Sequence, residues 1–227
     1  MTESPPVRLR SPFIDDTQGP MITSESMKVR DPQAARRKLF EFALSQGGYF
    51  TATQAREAGY SKQLQYYHVK HGNWTREGRG MYRVWELPQT SFEDVARWVL
   101  WSGKIAVASH QTAMAVHEIS DLMPAKIHLT VPPGFRKKPP PILVLHRDRL
   151  RSDETQQAEG FRVTTPLRTL LDAARVAVDG ERLAGGVRDA IRKGIVDPRT
   201  IEAKVAELQG PAAERLLQAL LETVRFP

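Results

Sequence analysis

The sequence contains no cysteine, which excludes a disulfide framework, a thiolate zinc site and a thiol nucleophile. It has no uninterrupted apolar run of about 18 residues, so no transmembrane helix is expected, and its N-terminus lacks the charged-then-apolar layout of a secretory signal. Also missing are a His-Glu-x-x-His zinc helix, a Walker A loop, a Gly-x-Ser-x-Gly elbow and a GxGxxG fingerprint. These absences point to a cytoplasmic, non-enzymatic protein with no metal and no cofactor. The length of 227 residues, 41% hydrophobic and 26% charged, suits one large or two small globular domains.

What is present is concentrated positive charge. Of a net +7, the stretch from Lys28 to Val84 sets eleven Lys/Arg against four acidic residues, while the first 27 residues hold two cations and four carboxylates. A second basic stretch, Lys126 to Arg151, has seven cations and a single acid, Asp148. Clustered cations suit a polyphosphate partner, because each neutralised phosphate releases condensed counterions. Solubility alone is the competing reading.

Residues 1–27, rich in Ser, Pro, Thr and Asp with no apolar period, read as a disordered leader. From Pro32 the pattern turns helical: Asp31 caps, Pro32 suits the first position, and Ala35, Leu39, Phe42 and Ala43 share a face. Gly47-Gly48 ends that helix and Tyr49-Phe50 is extended. Thr51 or Thr53 caps a short second helix, Gly59 supplies the turn, and Ser61 caps a third helix to about His71. Then Trp74-Thr-Arg76, a tip at Glu77-Gly-Arg79-Gly80 and Met81-Tyr-Arg-Val84 form a two-stranded wing. A winged helix-turn-helix is therefore expected over 28–86. Leu87-Pro88 marks a boundary to an α+β domain over 90–227. Its sheet part, about 90–165, has a helix at 92–101, strands at 105–108, 126–131, 142–145 and 161–163, and a helix from Ser109 to Glu118. Its helical part runs from about 166 to the end in four pieces. The fold class is α+β, with a small mixed sheet followed by a C-terminal run of helices.

With Leu64, Tyr67 or His68, and His71 toward the core, Lys62, Gln63, Tyr66 and Lys70 face outward on one stripe of the third helix. Gln pairs with adenine in the major groove, Lys reaches guanine or phosphate, and Tyr66 reaches a thymine methyl or a phosphate; a merely solvated face is the alternative. Arg76 and Arg79 are placed for phosphate or the minor groove, with a solvated turn as the alternative, and Thr53 and Gln54 for phosphate. The partner these residues suit is double-stranded DNA. Arg136, Lys137 and Lys138 with Arg147, Arg149 and Arg151 form a secondary basic patch, open to three readings: a second DNA contact, a dock for an acidic partner, or a solvated proline-rich loop. His110, His117, His128 and His146 with Glu118, Asp121 and Asp172 form no recognisable metal or acid–base pattern, and His117 reads as a packed or capping residue. Arg168 with Asp172, and Glu202 with Lys204, read as structural ion pairs.

Three separated motifs together resemble one family. Gly59-Tyr-Ser-Lys, His71-Gly-Asn-Trp74 and Arg79-Gly-Met-Tyr-Arg83 look like the N-terminal domain of AbiEi-type antitoxins of type IV toxin–antitoxin systems. Ser109-His-Gln-Thr-Ala with His117, Ile127-His-Leu-Thr-Val-Pro132, and Val163-Thr-Thr-Pro-Leu-Arg-Thr-Leu-Leu-Asp172 resemble the second domain of the same group. The likeness covers roughly 32–180. It implies an autorepressor that binds inverted repeats in the operator of its own operon through the winged helix. The second domain would counteract a nucleotidyltransferase-like toxin, with or without direct contact. The third helix carries Tyr66, Tyr67 and His68 where more arginine is expected, so base preference does not transfer. Two alternatives remain: a nucleic-acid-processing enzyme with an unrecognised nuclease-like second domain, and a stand-alone regulator without a toxin.

Overall fold

The computed structural model describes residues 31–119 and 124–225; the expected leader over 1–27 lies outside the described residues. Helix α1 (Pro32–Leu44) starts where Asp31 accepts the amide N–H groups of Gln33 and Ala34, at 3.1 and 3.0 Å. It buries Ala35, Leu39 and Ala43. Gly47 and Gly48, both with positive φ, turn the chain into β1 (Tyr49–Thr51). Thr51 caps α2 (Ala52–Glu57) through a reciprocal capping box with Gln54. Gly59, at φ +100°, turns the chain into α3 (Lys62–Lys70), whose first turn is capped by Ser61. Strands β2 (Trp74–Gly78) and β3 (Met81–Val84) form the wing, and β3 lies between β1 and β2 in an antiparallel sheet. Phe50 sits at the centre of this winged helix, edge-on to Trp74 at 4.8 Å between ring centroids.

Beyond it, α4 (Glu93–Trp101) packs on a five-stranded mixed sheet of β4 (Val107–Ala108), β5 (Ile127–Val131), β6 (Leu143–Arg147), β7 (Thr155–Gln157) and β8 (Arg162–Thr164). The strand order is β6-β5-β4-β8-β7, with β5/β6 and β4/β8 parallel. Helix α5 (His110–Val116) follows β4, and α6 (Pro166–Arg175) follows β8. They carry a second core with α7 (Gly180–Arg192), α8 (Pro198–Glu207) and α9 (Pro211–Arg225).

The α+β class and the order of elements match the sequence reading, with four local differences. The strand expected at 105–108 is only Val107–Ala108, because the Ser102 hydroxyl takes the N–H groups of Ile105 and Ala106 at 3.1 and 2.9 Å. Ser109 does not cap α5 through its side chain; its Oγ accepts the Thr130 hydroxyl at 2.8 Å and lies 2.9 Å from His110 Nδ1. Helix α5 stops at Val116, and Glu118 has φ +53°. Strand β7 is additional to the expected elements, since Thr155-Gln-Gln shows no apolar alternation; it is an edge strand, and edges tolerate polar residues on both faces.

The winged helix and the sheet part meet along a tight seam. Tyr49, Met81 and Leu100 form a buried cluster flanked by Trp101. Arg83 is buried, donates to the Leu87 carbonyl at 2.9 Å and pairs with Glu93 at 3.3 Å. Gly160, at φ +84°, lies so close to the Gly47 backbone that a Cβ there would fall 2.8 Å from the Gly47 nitrogen.

Candidate nucleic-acid interface

Helix α3 is anchored from one side. Leu64 is buried, and the buried Gln65 donates through Nε2 to the carbonyls of Tyr60 (3.0 Å) and Ala52 (3.2 Å). His68 stacks on Trp74 at 4.7 Å between centroids and lies 3.1 Å from the Asn73 amide. Burial holds its pKa below the usual imidazole range. With Leu64, Gln65 and His68 turned inward, Lys62, Gln63, Tyr66 and Lys70 stand exposed on the opposite stripe, Tyr66 at 70%. The two lysines have no side-chain partner among the described residues. His71, expected in the core, is exposed instead: the helix ends at Lys70, and the His71 ring folds back to stack on Tyr67 at 3.9 Å.

Arg76 on β2 and Arg79 in the β2–β3 turn are exposed, again without a partner among the described residues. Thr53 is exposed at the start of α2, its hydroxyl accepting from Arg56 at 3.2 Å. Gln54 is not available as a phosphate donor. Its Oε1 accepts the Thr51 N–H at 2.8 Å and its Nε2 donates to Gln46 at 2.8 Å. Several of the eleven cations between Lys28 and Val84 are also engaged structurally: Arg83 in the seam, Arg36 on Glu86 at 2.8 Å, and Lys38 on the Glu57 carbonyl at 2.9 Å.

The secondary basic patch is split. Lys137 donates to the Trp101 carbonyl at 2.6 Å, and its ammonium lies 5.5 Å from the Trp101 ring centroid. Lys138 is exposed beside a cleft of about 710 Å³, walled by Arg79 and Met81 of the wing region, by Trp98 and Trp101 of α4, and by Pro139. Arg136, Arg147 and Arg149 are exposed. Arg151 is not a free cation, because Asp153 takes its guanidinium in two bonds of 2.8 and 3.1 Å.

A polar cluster whose members are scattered in the sequence occupies the face of the second sheet opposite α4. Alternation along Ile127-His-Leu-Thr-Val turns Leu129 and Val131 into the core and His128 and Thr130 the other way. His146 on β6 lies between two imidazoles, stacked on His110 at 3.4 Å between centroids, with its Nε2 3.1 Å from His128 Nδ1. His110 holds a left-handed backbone at φ +52°, unusual for a residue with a Cβ. Burial, followed by the neighbouring imidazoles, lowers the pKa of His110 to about 2 and that of His146 to about 4; burial lowers His128 as well. Beside them Arg168 of α6 binds Asp148 (2.6 Å), Asp172 (2.8 Å) and Glu154 (2.9 Å). Burial raises the Asp172 carboxyl to about 6 despite that partner, and its Oδ2 accepts no bond from the described residues. The Arg168–Asp172 pair is therefore structural, and part of a larger network than its i,i+4 spacing indicated. His117 caps α5, and its Nε2 donates to the Thr164 carbonyl at 2.7 Å. Lys204 pairs with Glu207 at 2.8 Å, not with Glu202 as expected, because side chains two apart on a helix point to different faces while those three apart are neighbours. Among the described residues no group of three or more His, Asp or Glu is placed to hold a metal ion, and Asp121 lies outside them. No described helix is long and apolar enough to cross a membrane.

Residues 37–84 match a family described as "Transcriptional regulator, AbiEi antitoxin", and residues 106–223 match the "AbiEi antitoxin C-terminal domain". Among solved structures, the crystal structure of the RV2827C protein from Mycobacterium tuberculosis aligns over 87% of this chain and 79% of its own, with a TM-score of 0.54 at 14% identity. That is a likeness of fold. No curated protein matches the sequence.

Proposed function

The chain belongs to the AbiEi antitoxin family, and from that premise we propose that it is the DNA-binding autorepressor and antitoxin of a type IV toxin–antitoxin pair. Its winged helix binds inverted repeats in the operator of its own operon, and the part from about residue 90 onward counteracts a nucleotidyltransferase-like toxin. The observation that carries the DNA half is the stripe Lys62, Gln63, Tyr66 and Lys70, exposed on a helix whose other side is locked by Leu64, Gln65 and His68. Gln63 and Tyr66 are the candidates for base edges, Lys62 and Lys70 serve guanine edges or phosphate, Thr53 serves phosphate, and Arg76 and Arg79 serve phosphate or the minor groove. Lys138, which lines the same cleft as Arg79, extends the positive surface beyond the winged helix.

The test is binding to a duplex from the region upstream of its own gene, measured across a salt series. Lys62→Ala and Lys70→Ala are each expected to weaken binding and to lower the log–log salt slope by roughly 0.9 per lost phosphate contact. Unchanged affinity and slope in both variants would refute α3 as the reading face. Co-expression with the adjacent toxin gene tests the antitoxin half: growth must be rescued by the full chain.

A further inference from the structure

The wing is not a free hairpin. Its ladder pairs Arg76 with Tyr82 and then Gly78 with Met81, so Glu77 is the extra residue of a bulge. A bulged residue drops out of the ladder, bends its strand and re-aims the residues after it. Here the Glu77 carbonyl accepts Nη2 of Arg97, on α4, at 2.6 Å, and the Glu77 carboxylate lies 3.7 Å from the same nitrogen. Arg97 is itself held from below, with its guanidinium 5.0 Å from the Trp98 ring centroid and 3.8 Å from Asp94. Behind this contact the buried Tyr49–Met81–Leu100 cluster fixes the base of the wing against the same helix. Helix α3, in contrast, is anchored wholly from within the winged helix by Leu64, Gln65 and His68.

We propose that Arg97 is a positioning residue for DNA binding: by gripping the bulged Glu77 it aims the wing tip, and Arg79 two residues on, at the DNA. The second part of the chain thereby sets half of the reading surface without itself needing to touch the duplex. Arg97 is held by α4 and its short bond is to a backbone carbonyl, so that part of the grip does not depend on the wing side chains, while the Glu77 carboxylate adds a longer ion pair. The inference rests on the DNA-binding role of the wing proposed above. It predicts that Arg97 and Arg79 act as one unit, whereas Arg97 and Lys70 act independently.

The experiment is a pair of double-mutant cycles in the full chain, read as affinity for the duplex upstream of its own gene. Arg79→Ala, Lys70→Ala and Arg97→Ala are each expected to weaken binding roughly tenfold, the scale of one lost charge-assisted contact. Adding Arg79→Ala to Arg97→Ala should cost little more, because the tip is already mis-aimed. Adding Lys70→Ala to Arg97→Ala should cost the full further factor; a mere loss of folded fraction would make both pairs additive, so the contrast between the two cycles isolates the positioning role. Arg97→Lys, which keeps the charge and one donor, should restore part of the affinity. Additive losses for Arg97 and Arg79, or wild-type binding by Arg97→Ala while Arg79→Ala is weakened, overturn the inference and leave the DNA-binding reading intact. Wild-type binding by both Arg79→Ala and Lys70→Ala overturns the DNA-binding reading and this inference with it.

Discussion

Acid should destabilise this protein well above the pH at which ordinary carboxylates titrate, and the imidazole stack is the reason. His110 and His146 stay neutral in the fold, at about 2 and about 4, while an unfolded histidine protonates near its ordinary value. The unfolded chain therefore binds more protons as pH falls below about 6.5, and each histidine kept neutral costs up to about 1.4 kcal/mol of stability per pH unit. From pH 7 to 4.5 these two together remove about 5 kcal/mol. Asp172 works in the opposite sense. Its folded value, about 6, lies above that of an exposed aspartate, so protonation in the fold relieves a burial penalty, returning about 2 kcal/mol over the same range. The net loss is about 3 kcal/mol, or a fall in melting temperature of roughly 6–12 °C for a chain of this size. His68, His117 and His128, lowered by burial, add to the loss with the same sign. For Asp148 and Glu154 burial pushes upward but is outweighed by hydrogen bonds from Arg168 and backbone N–H groups and by the Arg168 charge, which together hold both below their usual range, so their contribution is lost only at lower pH. The assay is thermal unfolding followed by circular dichroism between pH 7.5 and 4.5, on the wild type and on His146→Phe. Phenylalanine keeps a ring against His110 but cannot titrate, so it should remove about half of the histidine term, roughly 2.5 kcal/mol, and with it most of the net loss. A flat profile for the wild type, or an undiminished slope in His146→Phe, would refute the mechanism.

Arg168→Leu removes the cation that three carboxylates share and leaves buried Asp172 with only a 3.5 Å contact to Arg175; a loss of about 3–5 kcal/mol is expected, read from denaturant unfolding, and a loss below about 1 kcal/mol would contradict it. A chain cut after Thr90 should still bind the upstream duplex but more weakly and with a lower melting temperature. The cut takes Glu93 from Arg83, Leu100 from Met81 and Arg97 from Glu77. The same truncated chain should fail to rescue cells from the toxin; rescue would refute the assignment of that role to the second part.

Most of the winged helix is legible in the sequence because its signals are local. Asp31 before Pro32, Gly59 between two short helices, and the glycine-rich tip between Trp74 and Met81 each act within a few residues. The outward stripe of α3 follows from helical spacing alone. Spacing does not decide which aromatic turns inward, and the answer lies outside the helix, in the flat face that Trp74 offers to His68. Gln54 departs from its expected role for a similar reason. Its capping-box geometry is present in the sequence, since Thr51 stands three residues before it, but a glutamine at that position serves the backbone before it can serve a ligand.

The polar face of the second sheet is harder to read because its members are far apart in the chain. His110, His128 and His146 come from α5, β5 and β6, and only the pairing of His128 with Val144 and of Thr130 with His146 brings them together. The alternation in Ile127-His-Leu-Thr-Val is itself a signal, for it puts a histidine and a threonine on a face that α5 then covers. A face that buries imidazoles, an arginine and the Asp172 carboxylate is costly unless each group finds a partner. The Arg168 network and the ordered imidazole contacts meet most of that demand at neutral pH, Oδ2 of Asp172 excepted. The same burial makes the face sensitive to acid, since an added proton places a charge in a desolvated site and, at His110 and His146, beside another imidazole.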